Sequence, residues 1–130
     1  MARAYERLGK VQVRDVLKAI ADKRPLDFHG VVCDTASTRL LPYHVHGVSC
    51  CVNGCTISGQ YFAVERAISH ATEVSAKWHL NLYGIKNGQE IMMTSDHKLP
   101  KSRGGLNDIS NRQPMCLPHN ASKGNQLIYL

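Results

Sequence analysis

The chain has 130 residues, 43% of them hydrophobic and 20% charged. That is enough for one modest core and too little for several independent domains. A formal net charge of +6 favours a polyanionic partner. No stretch approaches the roughly 18 apolar residues of a membrane span, and MARAYERLGK lacks the apolar region of a secretory signal, so the expected location is the cytoplasm.

Along the chain, Val13, Val16, Leu17 and Ile20 keep the i, i+3, i+4, i+7 spacing of an amphipathic helix, with Pro25 as its stop. This predicts a helix over about residues 11–23 within an N-terminal helical extension, 1–38. Residues 26–38 read as irregular or edge structure, and RLLPYHVHGV (39–48) as an extended approach to a cysteine cluster. The stretch 61–77 is ambiguous: Ala63, Val64, Ala67, Ile68 and Ala71 suit a helix, whereas YFAVER suits a strand. Trp78, Leu80 and Leu82 alternate with polar neighbours as in a strand, and Asn87-Gly88 predicts a hairpin returning through EIMMT. That strand ends on Ser95, Asp96 and His97.

Positive charge is concentrated at both ends. Residues 1–25 hold seven Lys/Arg against three acids, and residues 96–124 five against two, whereas 26–95 hold four against five. Five cysteines, an odd number without a secretion signal, argue against a disulfide framework and for metal. Structural zinc takes four N or S ligands in short pairs. Cys51 and Cys55 form one pair around an Asn53-Gly54 turn, with Cys50 as an alternative to Cys51. Cys116 and His119 form the second. Cys33 has no partner at useful spacing and reads as a packing residue. His29, His44, His46, His70 and His79 read as surface or hydrogen-bonded side chains, although His44 and His46 would share a strand face.

The segment SDHKLPKSRGGLNDISNRQPMCLPHNASKG (95–124) is too polar to build a core. Its Asp96-His97 pair, Pro-x-Ser-x-Gly-Gly loop, Asn111, and Cys-x-x-His-Asn-x-x-Lys-Gly ending resemble the HNH endonucleases, whose catalytic unit is the ββα-metal motif. The resemblance covers residues 50–125, and GQYFAVER and WHLNLYGI are similar to phage-encoded members. It implies an α+β fold: a small zinc-stapled nuclease domain over 39–130, forming one unit with the N-terminal helix. It also implies cleavage of DNA to 5′-phosphate and 3′-hydroxyl ends, in the host cytoplasm if the gene is carried by a phage.

The residue types suit that chemistry. A neutral imidazole at His97 can serve as general base to water. Asp96 and Asn120 offer hard oxygens to one Mg²⁺ or Mn²⁺, which can stabilise the departing oxygen. By resemblance, Asn111 pins the loop that holds His97. Lys123 lies one helical turn beyond Asn120 and could contact phosphate. Lys98, Lys101, Arg103 and Arg112 are further candidate phosphate contacts, and Gly104-Gly105 would let the main chain approach a ligand. The family's founding pattern has His where this chain has Asn120, and Cys where it has His119. Zinc accepts a Cys₃His set.

The main rival is a zinc-stapled nucleic-acid-binding or inhibitory module of the same fold without catalysis. A zinc protein that binds another protein is a third reading. Both a monomer and a homodimer are compatible with the sequence, and no membrane partner is expected.

Overall fold

The computed structural model describes residues 5–68 and 77–126. In chain order these form β1 (Tyr5–Gln12), α1 (Val13–Ala21), β2 (Leu26–Phe28), β3 (Val31–Cys33), α2 (Leu41–His46), β4 (Tyr61–Ala67), β5 (His79–Lys86), β6 (Gln89–His97), β7 (Arg112–Cys116) and α3 (Leu117–Lys123). The fold is a small α+β domain. Its five-stranded antiparallel sheet runs β1-β4-β5-β6-β7, with β2 and β3 as a separate hairpin. Among the described residues no helix is long and apolar enough to cross a membrane.

The predicted N-terminal helix is present but shorter, because residues 5–12 alternate half-buried and exposed and are taken by β1. α1 buries Val16, Ala19 and Ile20. It ends before Lys23, whose φ of 54° turns the chain ahead of Pro25. β1 pairs with β4, so the region expected as an extension supplies an edge strand of the sheet. A register shift between Arg7 and Gly9 sets the strand under Phe28. A Cβ on Gly9 would meet the Phe28 ring at 2.5 Å.

The expectation of extended structure over 39–48 is overturned: residues 41–46 are α2. Leu40 and Tyr43, three apart, are both buried, and Tyr43 packs edge-on to Phe62 at 6.1 Å. Pro42 sits in the first helical turn, where its missing N–H costs nothing. His44 and His46 therefore lie on a helix, and His46 Nε2 pairs with the Ile109 carbonyl at 2.9 Å.

The ambiguous stretch resolves as a strand over Tyr61–Ala67; residues 69–76 lie outside the described set. Phe62 and Val64 on β4 stand opposite Leu82 and Leu80 on β5, and this face packs with Val16, Ile20 and Tyr43 in the core. Cys33 is fully buried there. The other face carries Glu65, 2% exposed, with Arg7 Nε at 2.7 Å, Asn81 Nδ2 at 2.9 Å and Tyr83 Oη at 2.6 Å. Three donors satisfy a carboxylate that would otherwise be expensive to bury. The β5–β6 turn has both Asn87 (φ 53°) and Gly88 (φ 75°) left-handed, as a two-residue hairpin requires.

Candidate functional site

The chain from Val48 to Gly59 folds back on itself through Cys50 N–H to Ile57 O (2.9 Å) and Gly59 N–H to Val48 O (2.8 Å). At its tip, Cys55 N–H donates to Val52 O and Gly54 takes a φ of 84°. This turn brings Cys55 beside Cys50. The end of β7 and the first turn of α3 add Cys116 and His119.

The ligand atoms of Cys50, Cys55, Cys116 and His119 all lie within 4.8 Å of one another. Cys50 Sγ and Cys116 Sγ are 3.7 and 3.1 Å from His119 Nδ1. Tetrahedral zinc with Zn–S near 2.3 Å and Zn–N near 2.0 Å has ligand edges of about 3.5–3.8 Å, so the donor set fits. Cys116 N–H also donates to Cys50 Sγ at 3.3 Å, an interaction that favours thiolate. Burial, with Cys50 and Cys55 close by, pushes the Cys116 thiol up to about 11. These four residues could hold a metal ion such as zinc.

Cys51 was the expected ligand, and here the structure corrects the reading. Its N–H donates to Pro114 O at 2.8 Å, and its side chain is exposed.

β6 and β7 are antiparallel, joined by the loop 98–111, and α3 follows directly and packs on both. Thr94 and Asp96 share one face of β6 by the two-residue period. Asn120 Nδ2 donates to Thr94 Oγ1 at 2.8 Å. One turn later, Lys123 Nζ lies 3.2 Å from Asp96 Oδ2 and 2.9 Å from the His97 carbonyl oxygen. Gln113, opposite Asp96 in the register, donates to Oδ2 at 3.0 Å. Asp96 and Asn120 thus reach the same β6–α3 interface. Lys123, expected to contact phosphate, is 1% exposed and is the buried counter-ion of Asp96.

His97 is partly exposed and makes different contacts from its neighbour. Arg112 Nη1 is 2.9 Å from His97 Nε2, and the Asn107 carboxamide is 2.7 Å from the same nitrogen. The Asn107 atom is Oδ1, an acceptor, whereas a guanidinium only donates, so Nε2 can serve one of the two partners at a time according to its tautomer. Arg112, 6% exposed, also donates through Nε to Ser95 Oγ at 3.0 Å. Burial lowers its guanidinium below the ordinary value. Arg112, expected to contact phosphate, is packed against His97, its cross-strand partner.

Asn111 clamps the loop. Its Oδ1 accepts from Leu99 N–H at 2.8 Å, and its Nδ2 donates to Leu106 O at 2.8 Å and Leu99 O at 3.1 Å. Its own carbonyl accepts from Lys98 N–H at 2.7 Å. The loop closes so tightly that a Cβ on Gly105 would sit 1.8 Å from the Leu99 carbonyl oxygen. Gly105 therefore serves closure of the loop on itself, where a close approach to a ligand was expected. Lys101 and Arg103 lie exposed on a 3₁₀ turn, Lys101–Arg103, and Arg103 Nε donates to Asn125 O at 2.8 Å. Lys98 begins the same loop.

Sequence reasoning missed Thr94, Asn107 and Gln113. Thr94 follows from Asp96 by strand period, but Gln113 depends on the β6–β7 register and Asn107 on loop closure. No family model, curated protein or solved structure matches this chain.

Proposed function

We propose that the chain is a metal-dependent HNH endonuclease that hydrolyses DNA phosphodiester bonds, with a ββα-metal unit built from β6, β7 and α3 and braced by a structural zinc at Cys50, Cys55, Cys116 and His119. The observation that supports the reading is that one β6–α3 interface carries both residues, Asn120 bonded to Thr94 and Asp96 paired with Lys123 one helical turn on, with His97 next on the strand and its loop clamped by Asn111.

In this reading His97 takes the proton of the attacking water, and Asp96 and Asn120 hold one Mg²⁺ or Mn²⁺. The donor set is compatible: an ionised carboxylate has about four lone-pair positions, so Asp96 keeps capacity beside Gln113 and Lys123. Bound there, the cation would supply Lewis acidity to the phosphate and the departing 3′ oxygen. Lys123 holds Asp96 and the His97 main chain in register. Arg112 Nη1 lies 2.9 Å from His97 Nε2; a substrate phosphate is a stronger acceptor for a guanidinium than an imidazole nitrogen, so DNA arrival would draw Arg112 away from His97. Lys98, Lys101 and Arg103 are left to contact backbone phosphates.

A second reading, a nucleic-acid-binding or inhibitory module of the same build without catalysis, is favoured by one fact. Both Asp96 and His97 already have cationic partners, Lys123 and Arg112. Nicking of supercoiled plasmid with Mg²⁺ and with EDTA separates the two. The nuclease reading expects Mg²⁺-dependent nicking by the parent and none by a folded His97→Ala variant. Equal nicking by that variant removes His97 from the chemistry, and salt-sensitive DNA binding with no cutting under any divalent cation favours the module.

A further inference from the structure

A groove of about 1240 Å³ lies between α1, the β2–β3 hairpin and the start of β5, and no residue of the 95–124 segment lines it. Its lining includes Ile20, Val31 and Leu41, so part of its floor is apolar. Among the described residues that line it, Lys23, Arg24, Arg39, Arg66 and Lys77 stand against one acid, Asp34. Two acids nearby offset part of this charge. Asp22 is 3.5 Å from Arg24 Nε, and Glu6 is 2.8 Å from Arg66 Nε. Arg39 is committed to the wall, donating to Leu80 O at 2.9 Å. Lys23, Arg24 and Lys77 are exposed and remain at the rim.

Trp78, the single tryptophan of the chain, lines the same groove, half-buried, with the Arg66 guanidinium 4.5 Å from its ring centroid. An aromatic ring beside apolar floor, with cations at the rim, complements one kind of polyanion. The bases of a single strand are free to stack, whereas those of a duplex are turned inward and only phosphates face out. We propose that this groove binds a single-stranded stretch of nucleic acid, a base stacking on Trp78 and the flanking phosphates meeting Lys23, Arg24 and Lys77. The inference names a second surface for the substrate of the nuclease reading and rests on that reading for the identity of the strand.

The test uses the full chain in EDTA, so that binding is read without cutting, and oligothymidylate as the probe. Trp78 fluorescence should be accessible to acrylamide and should quench saturably as oligothymidylate is added. Lys23→Glu/Arg24→Glu, both at exposed positions, should weaken binding about tenfold or more, and the slope of log affinity against log salt should shrink by about 0.7 for each phosphate no longer neutralised. Lys86→Glu, a surface charge change away from the groove, controls for net charge. A Trp78 shielded from acrylamide, fluorescence that ignores oligothymidylate, or equal weakening by Lys86→Glu would each overturn the groove. The nuclease reading fails separately: if Mg²⁺-dependent nicking is absent while the groove variant still loses the quench, the binding site stands and the catalytic assignment falls.

Discussion

At the scale of single residues, the metal cluster depends on which of two adjacent cysteines turns inward. Cys50→Ser should lower bound zinc well below one per chain, whereas Cys51→Ser should keep it; releasing the metal into a chromogenic chelator checks both. Gly105→Ala is expected to cost about 1–3 kcal/mol, because its Cβ would collide with the Leu99 carbonyl and the loop must open. Urea denaturation gives that number, and faster amide exchange over 98–106 locates the damage. Lys123→Met tests the buried pair. Leaving Asp96 without its counter-ion should cost about 3–5 kcal/mol of stability, while removal of a mere surface phosphate ligand would cost almost none. Asp96, His97, Asn111, Asn120 and Lys123 are singled out in the sequence by resemblance to a family pattern. Their partners are not. Thr94, Gln113 and Asn107 come from strand register and loop closure, which composition does not encode locally.

Among the elements, the two departures from the sequence reading have a common cause. Residues 5–12 carry a two-residue alternation too weakly apolar to announce a strand, and only pairing with β4 makes them one. Leu40 and Tyr43 sit three apart in a stretch rich in β-formers, and only burial against Phe62 makes 41–46 helical. The Asn87-Gly88 hairpin was legible because its residue types are themselves the backbone requirement. The polar sheet face makes a pH prediction. A hydrogen bond from Arg7, joined by one from the Tyr61 hydroxyl, holds the Glu90 carboxyl below its ordinary value. The unfolded chain therefore binds this proton first, so the ionised carboxylate stabilises the fold above the ordinary carboxylate range, and that stabilisation disappears as pH falls through Glu90's lowered value. Between about pH 6 and about pH 3, the urea midpoint of the parent should fall more than that of Glu90→Gln. Parallel curves would mean that Glu90 is solvated in both states.

For the whole molecule, the Cys50, Cys55, Cys116 and His119 cluster, which could hold a metal ion, joins the 48–59 loop to the junction of β7 and α3, the same junction that carries Asn120 and Lys123. Cys50 and Cys116 pack into the same core as Val16, Tyr43, Phe62 and Leu82, but most of that core is supplied by residues outside the cluster. Chelation should therefore loosen α3 and its loop without unfolding the sheet. A Tm lower by about 10 °C or more, with far-UV circular dichroism largely kept, is the expected outcome. An unchanged Tm after complete metal removal would mean that the cluster braces nothing.

The order of the chain was enough to name Cys55, Cys116 and His119 as a set that could hold a metal, because short spacings are enforced by local geometry, and the α+β build was reached through a family resemblance. Tertiary structure alone decided that Cys50 faces the cluster instead of Cys51, that Lys123 and Arg112 are buried partners of Asp96 and His97, and that the N-terminal segment closes the sheet. Those outcomes depend on which face of a strand meets its neighbour. A one-residue change of register reverses that choice while leaving every local pattern intact.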